Sequence, residues 1–198
     1  MQRSSREQVL DAVVASVQDL GVRRTTMAEV ARRAGVSRST LYTHFPDVTA
    51  ATAAALTREL VALVEVVLAE IDPAAASGSG RQRLIAAAVE LAARVPEQPL
   101  IARVLELDAE LLVPYLVHQL GSSQRAIVAL VAELVAAGQQ EGSIRPGPPR
   151  ELAVAVFLTV QSFTVSARIV RDELGADRAA RLLTDLLEGL LRPGSEVA

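Results

Sequence analysis

The segment TTMAEVARRAGVSRSTLYTHF, residues 25–45, parses as two short helices with a tight corner between them. Thr26 can cap the first helix, and Glu29 three residues on can reach back to it, which completes a capping box. Met27, Val30, Ala31 and Ala34 then share one face at helical spacing, while Glu29, Arg32 and Arg33 face water. Gly35 supplies the left-handed residue that ends this helix. Ser37 opens the next, because its hydroxyl can accept from amide groups two or three residues later. Phe45 ends it, since a residue before proline, here Pro46, is pushed out of helical geometry. A helix, a corner of about three residues containing glycine, and a second short helix make a helix-turn-helix, whose second member enters the DNA major groove.

The array AxxAGVSxxTLYxHF, with Thr-Thr before it and a preceding helix that ends in Leu-Gly, resembles the DNA-binding domain of TetR-family transcriptional regulators. The resemblance covers roughly residues 6 to 56. The remainder is similar to that family only in its length and all-helical pattern, as expected of ligand-binding halves that diverge widely.

Within the second short helix, Leu41 and Phe45 are four apart and point into the domain, which leaves Arg38, Ser39, Thr40 and Thr43 outward. The N-terminal residues of a recognition helix meet base edges. Arg38 is therefore the leading base reader, able to fork onto guanine O6 and N7, with Ser39 and Thr43 as secondary readers. The family resemblance implies phosphate contacts from Thr40, Tyr42 and His44, and from Thr26. The competing reading makes Tyr42 and His44 corner-packing residues of a small helical domain. One departure stands out: after His-Phe the family commonly shows a small polar residue and then a lysine that meets phosphate, where this chain has Asp47 and Val48. Asp47 can still cap the following helix, and Val48 is expected near the surface. Arg3, Arg6, Arg23 and Arg24 are the cations available to replace the lost charge; solvated surface positions are the equal alternative.

Charge is distributed in keeping with this. The net charge is −3, yet residues 1–46 hold seven Arg against four acids, and residues 47–198 hold thirteen Arg against nineteen acids. Such asymmetry suggests that one end meets a polyanion. Every cation is Arg, a residue suited to phosphate and guanine forks, but a codon bias explains the absence of Lys as well. There are no cysteines, so neither a disulfide framework nor a thiolate metal site is available. No apolar run approaches the ~18 residues that span a bilayer, and no apolar segment follows the N-terminal arginines. These features point to a cytoplasmic protein without membrane partners.

Helical periodicity continues along the whole chain. Residues 5–20 carry the stripe Val9, Leu10, Val13, Val14, Val17 and Leu20, closed by Gly21. Leu10, Val14, Val17, Val30, Ala34, Leu41 and Phe45 can share a small core, thin enough that the next helix should brace it. That helix is predicted over 48–71, with Leu56, Leu60, Leu63, Val64, Val67 and Ile71 inward and Asp72-Pro73 ending it. Further helices are predicted over 81–95, 100–112, 115–138 with an interruption at Gly121-Ser122, 150–171 and 176–191, with a proline- and glycine-rich turn over 142–149. The helix at 150–171 is apolar nearly all round in its first half and is expected to be buried on more than one side.

The expected organisation is all-α: a helix-turn-helix DNA-binding domain at 1–47 and a larger helical effector-binding and dimerisation domain at 48–198. In the second domain, Tyr115, His118, Gln119, Gln161 and Arg168 are polar groups on mostly apolar helices, with Phe157 and Phe163 as candidate walls. A mostly apolar cavity with a few placed polar groups is how small-molecule sites are built; satisfied core positions are the bland alternative. Leu158, Leu182, Leu186 and Leu190 mark surplus apolar surface, and the family resemblance implies a dimer formed by the last two long helices. His118 and His44 are the only histidines and lie in different domains, so no metal site is implied. Neither a catalytic triad nor a phosphate loop occurs, so no enzyme activity and no cofactor is expected. The reading is a dimeric, ligand-responsive regulator of double-stranded DNA operators, a repressor released by a small apolar or amphipathic effector. The alternatives are an effector-independent DNA-binding or activating protein, and a helical carrier or enzyme with a vestigial helix-turn-helix.

Overall fold

The computed structural model describes residues 4–71, 78–111, 113 and 120–194. Among them all regular structure is helical: α1 (Ser5–Leu20), α2 (Met27–Ala34), α3 (Arg38–His44), α4 (Val48–Glu70), α5 (Gly80–Arg94), α6 (Pro99–Leu107), α7 (Ser122–Gln140), α8 (Pro149–Val165), α9 (Ala167–Leu174) and α10 (Ala176–Leu191). Two 3₁₀ turns, Val95–Glu97 and Ala109–Leu111, flank α6. No single helix among the described residues is long and apolar enough to cross a membrane.

The chain packs as two compact units, Met1–Ala62 with Glu97–Leu120, and Leu63–Pro96 with Gly121–Ala198. The first, called the head below, has a core of Val9, Leu10, Val13, Val17, Val30, Leu41 and Phe45 from α1 to α3. Ala51 and Ala55 of α4 brace it, and Leu100 and Val104 of α6 complete it. Fully burying such side chains contributes roughly 1.5–3 kcal/mol each, which is how a thin three-helix core becomes a stable one. The bracing by α4 follows the sequence expectation. However, its buried apolar positions are Ala51, Ala55, Val64 and Val67, while Leu56, Leu60 and Leu63 are half-buried. The expected helix end at Asp72-Pro73 lies outside the described residues.

The contribution of α6 to the head has no counterpart in a single cut between residues 47 and 48. Its helix also ends sooner than the periodicity predicts. Asp108, 2% exposed, turns its carboxylate to the corner after α1, where the Val22 N–H donates to Oδ2 at 2.9 Å. Gly21 forms that corner at φ 78°, and a Cβ there would stand 3.1 Å from the Leu107 side chain. The corner therefore requires glycine on both conformational and steric grounds.

The C-terminal unit is built from α5, α7, α8 and α10 around Leu84, Ile85, Ala88, Val135, Ile144, Leu152, Val156, Leu183, Leu187 and Leu191. Helix α7 begins at Ser122, with Gly121 as its N-cap, so the predicted interruption is where this helix starts. The single helix expected at 150–171 is instead two, α8 and α9, bent by 73° at Ser166. The Thr159 and Thr164 hydroxyls bond back to the carbonyls of Ala155 and Val160, a habit that bends helices. Nor is α8 buried on more than one side within this chain: Leu152, Ala153 and Val156 are buried, but Leu158 is 48% exposed and Val165 41%.

Candidate nucleic-acid interface

Three caps fix the local geometry of the helix-turn-helix. The Thr26 hydroxyl accepts from the Glu29 N–H at 3.2 Å at the start of α2. The Ser37 hydroxyl accepts from the Thr40 N–H at 3.0 Å at the start of α3 and shares a 2.8 Å hydrogen bond with the Thr40 hydroxyl. Between them Gly35 adopts the left-handed conformation at φ 66°, ψ 26°. After α3, the Asp47 carboxylate accepts from the Ala50 N–H at 2.7 Å and caps α4 as expected.

The expected capping box is only half formed. Glu29 does not reach back to Thr26; its two carboxylate oxygens accept from Arg32 at 3.0 and 2.7 Å, and Arg33 stands at 3.5 Å. A bidentate charge-assisted pair outcompetes one amide hydrogen bond. The Arg32 hydrogen bond, more than the surrounding charge, holds the Glu29 carboxyl below its ordinary pKa against a smaller desolvation effect.

Helix α3 turns Leu41 fully inward, followed by Phe45, and presents Arg38, Ser39, Tyr42 and Thr43 to solvent. Thr40 and His44 are half-buried. The Thr43 hydroxyl donates to the Ser39 carbonyl at 2.9 Å, so it faces outward with its proton already used. His44 Nε2 is hydrogen-bonded to the Ser5 hydroxyl at 2.9 Å, which ties the end of α3 to the start of α1. Arg6 lies with its guanidinium 5.6 Å from the Phe45 ring centre, a cation–π contact at the same junction.

The arginines divide sharply. Arg32 and Arg33 are paired with Glu29 and Asp19, and Arg23 with Asp108 and Glu110. Arg24 donates to the Leu20 carbonyl, and Arg6 stands 3.9 Å from Glu7. Arg38 alone of these has no hydrogen bond or ion pair among the described residues. Arg3 lies outside the described residues, so of the cations named for the charge missing at position 48, Arg23 is already engaged by two acids. Val48 itself is half-buried against the head core rather than at the surface. The sequence reading also passed over the α1–α4 junction. There Arg58 donates to Glu7 at 3.1 Å, to Asp11 at 2.8 Å and to Glu59 at 2.9 Å. Burial works against the Arg58 charge, but these hydrogen bonds outweigh it and raise its pKa. A signal was present: Glu7 and Asp11 are four apart on the polar face of α1.

In the C-terminal unit, Gln161 accepts from Gln124 Nε2 at 3.0 Å and is half-buried, as is Phe157, whereas Arg168 is exposed. Tyr115, His118 and Gln119 lie outside the described residues. Leu182 and Leu186 are 38% and 55% exposed, while Leu190 is half-buried against the core of its own unit.

Comparison with known proteins agrees with this geometry. Residues 9–48 match the family model described as bacterial regulatory proteins, tetR family. An uncharacterized HTH-type transcriptional regulator of Mycobacterium bovis is 38% identical over 183 residues, covering 92% of both chains. Among solved structures, a protein from Rhodococcus sp. RHA1 superposes with a TM-score of 0.68 at 22% identity, covering 96% of this chain and 97% of that one. FadR from Bacillus subtilis, in complex with stearoyl-CoA, superposes with a TM-score of 0.60 at 17% identity, covering 93% of this chain and 97% of that one.

Proposed function

Because this chain belongs to the TetR family of bacterial transcriptional regulators, we propose that it works as a dimeric repressor released from its operator by a small apolar or amphipathic effector. In this reading residues 1–47 read DNA, and residues 48–198 hold the effector and the dimer contact. The observation that carries DNA reading is the α3 surface: an unengaged Arg38 in its first turn, flanked by exposed Ser39, Tyr42 and Thr43, over a buried Leu41. Arg38 forks onto guanine, Ser39 and Thr43 assist, and Thr26, Thr40, Tyr42 and His44 grip phosphate. Two copies set their recognition helices about one turn of DNA apart, roughly 34 Å.

The exposed leucines Leu158, Leu182 and Leu186 support a dimer through α8 and α10. Leu190 serves at the edge of that contact, since its own core already covers part of it. Effector binding would fall to residues 48–198, with Phe157, Gln161 and Arg168 as its candidate groups among the described residues. An effector shifts operator occupancy only by its differential affinity for the bound and released conformations. The liganded FadR structure is a relative in fold; the effector class proposed here follows from the apolar helices with few polar groups.

Selection of bound duplexes from a random library tests the reading. The expected product is a palindrome whose half-sites lie about 10 base pairs apart. Enrichment of no sequence over the starting pool would contradict it.

A further inference from the structure

The outward face of α3 offers three different kinds of polar group. Arg38 carries donors only and has no partner among the described residues. Ser39 is exposed and its hydroxyl has no partner among the described residues, so it turns freely to donate or to accept. Thr43 lies one turn on from Ser39 along the same row and is also exposed. Its hydroxyl proton is committed to the Ser39 carbonyl at 2.9 Å. What Thr43 offers outward is therefore an oxygen that can only accept, beside a γ-methyl. Thr57, Thr159, Thr164 and Thr184 each bond the carbonyl four residues back in the same way. This is a rotamer that the helix itself favours, so Thr43 keeps it when α3 meets DNA.

We propose that Thr43 reads a thymine–adenine pair in each half-site, with its γ-methyl packed on the thymine C5-methyl. The inference rests on the DNA-reading role of α3 given above. In the major groove thymine presents O4 and the C5-methyl, and its adenine partner presents N7 and the N6 amino group. A methyl beside an acceptor oxygen suits that edge, because the methyl covers the methyl and the oxygen accepts from adenine N6. A cytosine–guanine pair has the cytosine amino donor but no methyl. Guanine O6 and N7 are acceptors, and facing them with an oxygen that has no proton to give leaves both sides unpaired. Arg38 has the opposite demand, since its donors match those two guanine acceptors. The two side chains thus ask for different base pairs, and Ser39, which donates or accepts, discriminates least.

The test separates the methyl from the hydroxyl on both partners. Wild type, Thr43→Ser and Thr43→Val are titrated with the duplex that wild type selects from a random library. They are also titrated with copies in which deoxyuridine replaces, one at a time, each thymine on either strand of one half-site. Deoxyuridine pairs as thymidine does and lacks only the C5-methyl. For wild type, one of these replacements should weaken binding about fourfold, the worth of one methyl-sized apolar contact. Thr43→Ser keeps the hydroxyl and drops the methyl, so it should bind the thymine and deoxyuridine duplexes equally at that position. Thr43→Val keeps a methyl and drops the hydroxyl, so the fourfold difference should remain. Thr43 is exposed, so neither change opens the core, and circular dichroism checks that both variants fold. A selected half-site without thymine, or one indifferent to every replacement, overturns the proposal. So does a Thr43→Ser that keeps the difference, because another side chain then reads the methyl, and so does its loss in Thr43→Val, which would assign the reading to the hydroxyl. If wild type enriches no duplex at all, DNA reading by α3 itself fails, a result distinct from a selected duplex that ignores the thymine methyl.

Discussion

Helix α3 in the head carries one apolar row, Leu41 with Phe45 just beyond it, and both are buried. Helix α10 in the C-terminal unit carries two: Leu183, Leu187 and Leu191 are buried, while Leu182 and Leu186 are exposed. In α3 the split between apolar and polar positions separates inside from outside, so the outward face can be read for chemistry. In α10 leucine occupies both rows, and residue type cannot tell a core from an unfilled contact surface. Only the packing of α5 and α8 on one row separates them. The lesson is physical: periodicity reports that a face is apolar, and what covers it is set by elements far away in sequence.

The largest effect is expected from putting charge on the exposed row. Leu182→Glu with Leu186→Glu should split the dimer and abolish operator binding while leaving helicity largely intact, because burying paired glutamates across a twofold contact is prohibitive. Light scattering that still finds a dimer would place the association surface elsewhere. The neighbouring row should respond differently. Leu187→Ala should cost about 2–5 kcal/mol of folding stability in a denaturant titration, whereas Leu186→Ala should barely change the stability of the isolated subunit. Similar losses at both positions would erase the distinction between the two rows.

The smallest effect concerns the head. Val48→Lys should restore a phosphate contact and tighten binding to all duplexes alike, with the slope of log affinity against log salt steepening by roughly 1.8 for a dimer. Val48 is half-buried, so the lysine stem must lie along the apolar surface with its ammonium at the edge. An unchanged slope would mean that the start of α4 does not approach the backbone.

The head was largely legible because its signals are local. Thr26, Gly35, Ser37 and Asp47 each act within three or four residues, and each occupies its expected capping position. Glu29 escaped because two arginines and an amide compete for one carboxylate, a contest that spacing does not rank. The role of α6 escaped for a different reason. Leu100, Val104 and Asp108 complete the head from some eighty residues beyond α1, and nothing in an amphipathic segment names its partner. The break at Ser166 carries neither proline nor glycine, so only the backbone itself reveals it. The proposed effector groups remain the least legible, since isolated polar residues on apolar helices serve cores and sites alike.

The central claim is that the outward face of α3 reads bases and that Arg38 leads it. The most direct measurement compares wild type and Arg38→Ala on the selected duplex and on every single base-pair replacement within one half-site. Arg38→Ala should lose about 1–3 kcal/mol per contact and lose discrimination at one position per half-site, with preference elsewhere kept. An equal loss on every duplex, with the preference at all positions intact, would show that Arg38 holds phosphate and would contradict the account.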